Sequence, residues 1–155
     1  TILNETTLDA RRGEITLRSA DPADKPRIRA NYLQSDFDLR TMISGIRMAR
    51  EIIAQKAFEP FRGKELAPGP VFDSDAELEK WLRASAMTTF HPVGTCKMGN
   101  DPMAVVDARL RVHGIAGLRV ADASIMPIIS SGNTNAPAIM IGERASDFIQ
   151  AEANA

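Results

Sequence analysis

The chain has 155 residues, of which 44% are hydrophobic and 25% are charged, with a formal net charge of −1. This length suits one domain with a real core and is short for two. The nearly balanced charge offers no basic face to nucleic acid or to an anionic membrane surface, so we expect neither partner. The single cysteine excludes an internal disulfide, and no Cys/His spacing resembles a zinc site. We therefore expect no metal and a reducing, cytoplasmic location.

The first residues of the sequence carry no targeting pattern that we identify. Residues 1–14 lack the basic and then apolar layout of a secretory signal, and no run of about 18 apolar residues occurs anywhere. We therefore expect no transmembrane segment. The chain begins at Thr1 and not at methionine, which suggests that it was cut from a longer protein.

The first 34 residues predict a hairpin followed by a long loop. Residues 1–20 alternate apolar and polar positions around Gly13, with Ile15 and Leu17 on one face, so Gly13 is expected to supply the bend. Pro22 and Pro26 then exclude a helix, because each lacks the backbone N–H that a helix needs. Residues 20–34 are therefore expected to be an extended surface connection.

Three segments predict helices. Ser35 before Asp38, and Ser74 before Glu77, are patterns of helix N-termini, and Pro137 suits the first turn of a helix over residues 136–153. Apolar residues recur at helical spacing in all three segments. They are Leu39, Met42, Ile43, Ile46, Ala49 and Ile53 in the first, Leu78, Trp81 and Leu82 in the second, and Ile139, Ile141, Ala145, Phe148 and Ile149 in the third.

Short β-type runs fill the region between the second and third helices. Residues 104–107, 108–114 and 117–124 alternate in polarity and are separated by Gly114 and Gly117, which predicts a small meander. Residues 125–135 read as irregular chain. Strands and helices do not alternate regularly, so the fold class is predicted as α+β, a mainly antiparallel sheet flanked by helices.

His91 lies in the unusual stretch "TTFHPVGTCKMG". Pro92 favours extended backbone at His91, and Gly94 permits a sharp turn, so the imidazole is expected on a loop or strand end. Imidazole exchanges protons near neutral pH, which makes His91 a candidate general base. On composition alone, a structural histidine bonded to backbone is the stronger interpretation.

The second unusual stretch is "SGNTNAPAIM" at the start of the third helix. One of Asn133 and Asn135 is expected to cap the helix. The first turn also presents unpaired N–H groups that suit an electron-rich ligand oxygen. His113 lies in a predicted turn and is expected to be solvated, whereas Asp122 ends a predicted strand and faces either solvent or the hydroxyls of a ligand.

Several segments, in this order, resemble the C-terminal substrate domain of the GMC (glucose-methanol-choline) oxidoreductases. They are "GEITLRSADPADKPRIRANYL", "TTFHPVGTCKMG", "GLRVADASIMP" and "SGNTNAPAIMIGERASDFI". The resemblance covers residues 1–155 and is greatest to bacterial choline dehydrogenase and alcohol dehydrogenase-like members. It implies FAD-dependent oxidation of a primary alcohol to the aldehyde, with hydride passing to the flavin and then electrons to oxygen or a quinone-type acceptor.

The resemblance also assigns residues. The active-site histidine of the family falls on His91, as the base, and its second active-site position falls on Asn133, as a donor to the substrate oxygen. Positions that line the flavin in the family match Phe90, Asp122, Ala123, Thr134 and Asn135.

One feature of the family is missing from the sequence. The chain contains no GxGxxG turn for the pyrophosphate of FAD. We therefore interpret it as a fragment, inactive alone, whose C-terminal segment and helix would pack on a missing N-terminal FAD-binding domain. The full-length protein is expected in the cytoplasm, with peripheral attachment to a membrane as an alternative.

Two other functions are kept open. A cysteine hydrolase could use Cys96 as nucleophile and His91 as base, although this spacing matches no nucleophile pattern that we identify. A non-catalytic binding or assembly module would suit a protein that consisted of these 155 residues alone.

Overall fold

The computed structural model describes residues 13–154. Contacts divide the chain into two compact units at the junction of Thr89 and Phe90. We refer to residues 13–89 as the first unit and to residues 90–154 as the second unit. That residues 1–155 act as one domain of a longer enzyme stays a prediction.

The first unit begins with a two-stranded antiparallel sheet. Strand β1 (Glu14–Thr16) pairs with strand β2 (Arg27–Arg29), and Ile15 lies opposite Ile28. The prediction of an uninterrupted loop over residues 20–34 is therefore wrong. Both prolines fall in the connection between the strands, where no ladder N–H is needed, so β2 can begin directly after Pro26.

Gly13 has a different role from the bend that the sequence predicts. A Cβ atom at this position would collide with the carbonyl oxygen of Arg29, so glycine permits the close approach of β2 to the start of β1. The other half of the predicted hairpin, residues 1–12, lies outside the described residues.

Two predicted helices form the rest of the first unit. Helix α1 (Asp36–Ala54) begins after Ser35, whose hydroxyl accepts from the Phe37 N–H, and α2 (Asp75–Ser85) begins after Ser74. A 3₁₀ turn (Lys56–Phe61) and an irregular segment join them. The helices pack through a small apolar core in which four side chains are buried, namely Leu39, Ile43, Leu78 and Leu82, with Met42, Ile46 and Trp81 partly buried against it.

The second unit has one helix and largely irregular chain. The predicted meander is reduced to single bridges, Met98 to Val106, Val106 to Val112 and Arg111 to Arg119. Positive φ angles at Leu110, Gly114 and Gly117 turn the chain before longer ladders can form. The α+β class is confirmed, with a sheet in the described residues that is limited to β1 and β2.

Helix α3 (Asn135–Ala153) is held by its middle and its C-terminal half. Ile141 and Ala145 are buried with Val106, Leu110 and Ile125 in the core of the second unit. Near the C-terminus, Glu152 forms ion pairs with Arg109 and Arg119, and the guanidinium groups of Arg109 and Arg144 lie 5.4 and 5.2 Å from the ring centroid of Phe148.

Candidate functional site

The second unit brings two of the unusual sequence stretches into direct contact. Nδ1 of His91 lies 3.0 Å from the Thr134 hydroxyl oxygen Oγ1, across 43 residues of sequence. The backbone N–H of Thr134 also points to Nδ1, at an N···N distance of 3.5 Å. His91 is half-buried on irregular chain, as predicted, whereas Thr134 is only 8% exposed. The imidazole therefore stands at the N-terminus of α3 and not sealed in the core.

Thr134 occupies the N-cap position of α3 but does not cap it. Its side chain makes no capping hydrogen bond, and its backbone has φ −84° and ψ 2°, outside the extended region typical of N-caps. Pro137 at the third helical position has no N–H to offer to a cap. The prediction that Asn133 or Asn135 caps the helix is wrong, since Asn133 precedes the cap and Asn135 is the first helical residue.

The first turn of α3 is consequently an open set of donors. It contains no acidic residue and receives no side-chain hydrogen bond from its N-cap. N–H groups at such a position carry a partial positive charge and favour an electron-rich group. The exposed side chains of Asn133 and Asn135 flank this turn. These residues therefore fit the electron-rich edge of a flavin ring.

Asp122 and Ala123 belong to a segment that is tied to the loop after His91. Asp122 is exposed, and its carboxylate accepts from the Ser124 N–H at 2.7 Å, which starts a short 3₁₀ turn (Ala123–Ile125). The Cys96 N–H donates to the Ser124 carbonyl at 2.9 Å, and the Met98 N–H donates to the Ile125 carbonyl at 2.7 Å. Because Ile125 shares the core with Ile141, all three predicted site segments converge on one region of the second unit.

Phe90 comes immediately before His91 and is 77% exposed. Its φ of 64° lies in the left-handed region that side chains other than glycine seldom adopt. Gly94 also has a positive φ, 87°, so the chain turns on both sides of His91. The structure thus presents a large, exposed aromatic ring at the residue before His91.

His113 differs from His91 in its partner. It is exposed, as predicted, and its Nε2 lies 3.0 Å from the Gly99 carbonyl oxygen. A carbonyl only accepts, so Nε2 of His113 must carry a proton. The Thr134 hydroxyl next to His91 can donate or accept a hydrogen bond. Either nitrogen atom of the His91 ring can therefore carry the proton.

Asp107 organises a turn that sequence reasoning did not single out. Its carboxylate accepts from the backbone N–H groups of Arg109 and Arg111 and from the Arg111 guanidinium. These hydrogen bonds, led by the guanidinium, lower the pKa of Asp107 to about 2. The turn in this way carries Arg109 toward α3.

The first unit contains a separate open groove of about 810 Å³. Met42, Ile46, Phe61 and Trp81 contribute to its apolar walls, and Arg50 lies at its edge in an ion pair with Glu65. None of the predicted site residues lines it.

Residues 13–154 contain neither a membrane-spanning helix nor a cluster of metal ligands. In this range no helix combines the length and the apolarity needed to cross a membrane. No group of three or more His, Cys, Asp or Glu side chains within the same range is arranged to hold a metal ion.

Comparison with known proteins gives a consistent set of relatives. The sequence profile of a family described as GMC oxidoreductase matches residues 9–142. Over 140 residues the chain is 51% identical to the oxygen-dependent choline dehydrogenase of Brucella anthropi, covering 89% of this chain and 26% of that protein.

Solved structures agree with the sequence matches. An FAD-dependent oxidoreductase from Chaetomium thermophilum is similar with a TM-score of 0.85 and 31% identity, covering 92% of this chain and 25% of that chain. A formate oxidase variant from Aspergillus oryzae has a TM-score of 0.83 and 38% identity, covering 91% of this chain and 25% of that chain. The chain thus spans about a quarter of the length of these proteins.

Proposed function

Because the chain belongs to the GMC oxidoreductase family, we propose that it forms the substrate side of an FAD-dependent enzyme that oxidises a primary alcohol, choline-like or other, to the aldehyde. The observation that carries this proposal is the half-buried His91 beside Thr134 at the open N-terminus of α3. A proton acceptor and a set of donors are thereby presented side by side, as the oxidation of an alcohol requires.

His91 is the base in this proposal. Removal of the hydroxyl proton gives an alkoxide, whose carbon releases hydride far more readily than that of the neutral alcohol. The contact of Nδ1 with Thr134 fixes the orientation of the ring and leaves Nε2 as the nitrogen for the substrate. A fixed ring lowers the entropic cost of bringing base and substrate together.

Asn133 orients the substrate oxygen. Its amide donates a hydrogen bond without competing for the proton that His91 removes. It is exposed and directly precedes Thr134, so it lies at the N-terminus of α3, where Thr134 contacts the imidazole. The donated hydrogen bond stabilises the negative charge that develops on the oxygen.

The residues that we assign to the cofactor belong to the same three segments of the second unit. They are Phe90, Asp122, Ala123, Thr134 and Asn135, and the first-turn N–H groups of α3 would favour electron density on the flavin ring. FAD, when bound, supplies the acceptor for the hydride. The names of relatives support this cofactor, since one solved structure is called an FAD-dependent oxidoreductase.

The remaining parts of the enzyme would come from polypeptide outside this sequence. We propose that residues 1–155 are its C-terminal domain, that a GxGxxG segment elsewhere binds the pyrophosphate, and that the isolated chain is inactive. The exposed Ile139, Met140 and Ile149 on α3 support packing of this helix against that FAD-binding domain. The Brucella relative is an oxygen-dependent choline dehydrogenase, which favours oxygen over a quinone as electron acceptor. A cytoplasmic or membrane-peripheral location completes the proposal.

Replacement of His91 tests the proposal. In the full-length, FAD-loaded protein, His91→Gln is expected to slow anaerobic flavin reduction by about 100- to 10,000-fold, because general base catalysis contributes about that much. The measurement is stopped-flow absorbance of the flavin with choline, and with a panel of aliphatic and aromatic primary alcohols. His113→Gln is the matched control and should leave the rate unchanged. A His91→Gln protein that reduces flavin at the native rate would remove His91 from the reaction.

The same assay separates the two alternatives. A non-catalytic module would bring about no alcohol-dependent flavin reduction in the native full-length protein. A cysteine hydrolase would lose its activity when Cys96 is alkylated, whereas flavin reduction by an alcohol oxidoreductase should survive.

A further inference from the structure

The Thr134 hydroxyl is directed to His91 although its position in α3 is one that normally caps the helix. Ser35 and Ser74, at the equivalent positions of α1 and α2, both accept a backbone N–H of their own helix. Thr134 makes no such bond and instead places Oγ1 3.0 Å from Nδ1 of His91. The buried Thr134 hydroxyl therefore contacts the imidazole and does not cap the helix.

We propose that Thr134 is a positioning residue that sets the tautomer of His91. Its hydroxyl accepts the Nδ1–H of the neutral ring, so the lone pair of Nε2 is left to take the substrate proton. This inference rests on the proposed function and deepens it, because it states which ring nitrogen carries the proton before reaction.

The two contacts of Nδ1 differ in length and in the hydrogen-bond direction that each allows. The Thr134 backbone N–H can only donate, and alone it would favour an unprotonated Nδ1. Its N···N distance of 3.5 Å is beyond the usual range of about 2.7–3.2 Å for hydrogen bonds donated by N–H. The hydroxyl at 3.0 Å is well within hydrogen-bond range, and it can accept. Because the hydroxyl can also donate, the distance is compatible with a proton on either nitrogen. The proposed removal of the substrate proton by Nε2 requires the tautomer in which Oγ1 accepts the Nδ1–H.

The same hydroxyl suits the charged state of the ring. When Nε2 takes the proton, the alcohol O–H bond breaks, its electron pair stays on the oxygen, and the ring becomes an imidazolium whose Nδ1–H still donates to Oγ1. The N-terminus of α3 opposes this positive charge, because its dipole has the same sign. A charge-assisted hydrogen bond to Oγ1 offsets part of that cost. The ring thus keeps one orientation in both protonation states.

The local sequence keeps the hydroxyl available. A side-chain cap bonds the N–H of the second or third helical residue, and the third residue of α3 is Pro137, which has none. The ψ of 2° at Thr134 also departs from the 130° and 157° at Ser35 and Ser74. Competition from the helix for Oγ1 is thus reduced to the N–H of the second helical residue, Ala136.

The decisive measurement is the tautomer itself. In the FAD-loaded protein labelled with ¹⁵N-histidine, the His91 resonances are those missing from His91→Gln, and ¹⁵N shifts distinguish a protonated from an unprotonated ring nitrogen. At a pH where the ring is neutral we expect Nδ1 of native His91 to be protonated. His113 is the internal reference, because the Gly99 carbonyl requires its proton on Nε2. An unprotonated Nδ1 on neutral His91 would overturn the inference.

Two variants connect the tautomer to the reaction. Thr134→Val removes the acceptor at nearly constant volume, so we expect mixed tautomers and flavin reduction by choline slower by about 10- to 100-fold, as for other groups that orient a histidine. Thr134→Ser keeps the hydroxyl and is expected to remain within about threefold of the native rate, with Nδ1 protonated. A Thr134→Val protein with native rate and native tautomer would contradict the role of the hydroxyl.

Failure of this inference is distinguishable from failure of the proposed function. If His91→Gln abolishes flavin reduction but Nδ1 is unprotonated in the native protein, the function stands and the positioning role falls. If Nδ1 is protonated through Thr134 but His91→Gln reduces flavin normally, the contact is structural and the proposed base is wrong.

Discussion

The N-termini of α2 and α3 differ in whether a side chain caps the backbone N–H groups of the first turn. Ser74 accepts from the Glu77 N–H while the Glu77 carboxylate accepts from the Ser74 N–H, so α2 begins with a complete capping box. This arrangement also lowers the pKa of Glu77, because its carboxylate gains backbone and hydroxyl donors. At α3, Thr134 turns its hydroxyl away to His91 and leaves the first turn uncapped.

The difference shows what each helix end is for. A capped end stabilises its helix by about 1 kcal/mol and offers nothing to a ligand. An uncapped end keeps its donors for a ligand and must be secured elsewhere. In α3 this is done by the buried Ile141 and Ala145 and by the ion pairs of Glu152 with Arg109 and Arg119. Stability and function thus occupy different parts of one helix.

The largest expected effect is on the core that secures α3. Ile141→Ala removes a side chain that is 4% exposed, so the free energy of unfolding should fall by about 2–5 kcal/mol through lost burial and a cavity. Chemical denaturation measures this change. With both variants made in residues 1–155 alone, Ile139→Ala, at a residue of the same helix that is 60% exposed, is the matched control and should change the free energy of unfolding far less. Equal losses from both variants would show that the core does not anchor α3.

A smaller effect is expected at the capped helix. Ser74→Ala removes both hydroxyl contacts of the capping box, and the free energy of unfolding should fall by about 1 kcal/mol. Flavin reduction by choline should be unchanged in this variant. The matched comparison is Thr134→Ser, which keeps the hydroxyl at the uncapped end. A loss of activity in Ser74→Ala would break the distinction between the two ends.

The smallest effect on stability is expected at Pro137. Pro137→Ala supplies an N–H at the third position of α3, where surface substitutions usually change the free energy of unfolding by less than about 0.5 kcal/mol. This new donor can draw the Thr134 hydroxyl toward the helix and away from His91. We expect a second His91 tautomer in the ¹⁵N spectrum. A single native tautomer would show that the missing N–H is not what keeps the hydroxyl free.

The sequence was most informative where local chemistry decides the structure. The caps at Ser35 and Ser74, and the apolar spacing of Leu39, Ile43 and Leu78, led to correct predictions of α1 and α2. β2 was missed because it directly follows a proline and has only three residues, too few to establish a pattern. The predicted meander was too regular, since the positive φ of Leu110 has no signature in the sequence.

The candidate site divides in the same way. Residue types and the motif resemblance singled out His91 and the stretch of residues 133–135, because imidazole before proline and a helix start rich in asparagine are unusual in themselves. The contact of His91 with Thr134 was not predicted, because one of the two asparagines beside Thr134 was expected to cap the helix and no role as a partner of His91 was assigned to the threonine. Pro137 was the only local hint, because it removes a donor that a cap would use.

The sequence by itself determined the helices, the α+β class and the family. Capping and hydrophobic spacing depend on residues that are near neighbours in the chain, and the order of the motifs is read directly from the sequence. The tertiary structure alone decided that the hydroxyl of Thr134 would contact the imidazole ring of His91. The direction of a side chain at a helix end depends on whichever partner the folded chain brings within hydrogen-bond distance. Such a partner can lie 43 residues away, where no local pattern records it.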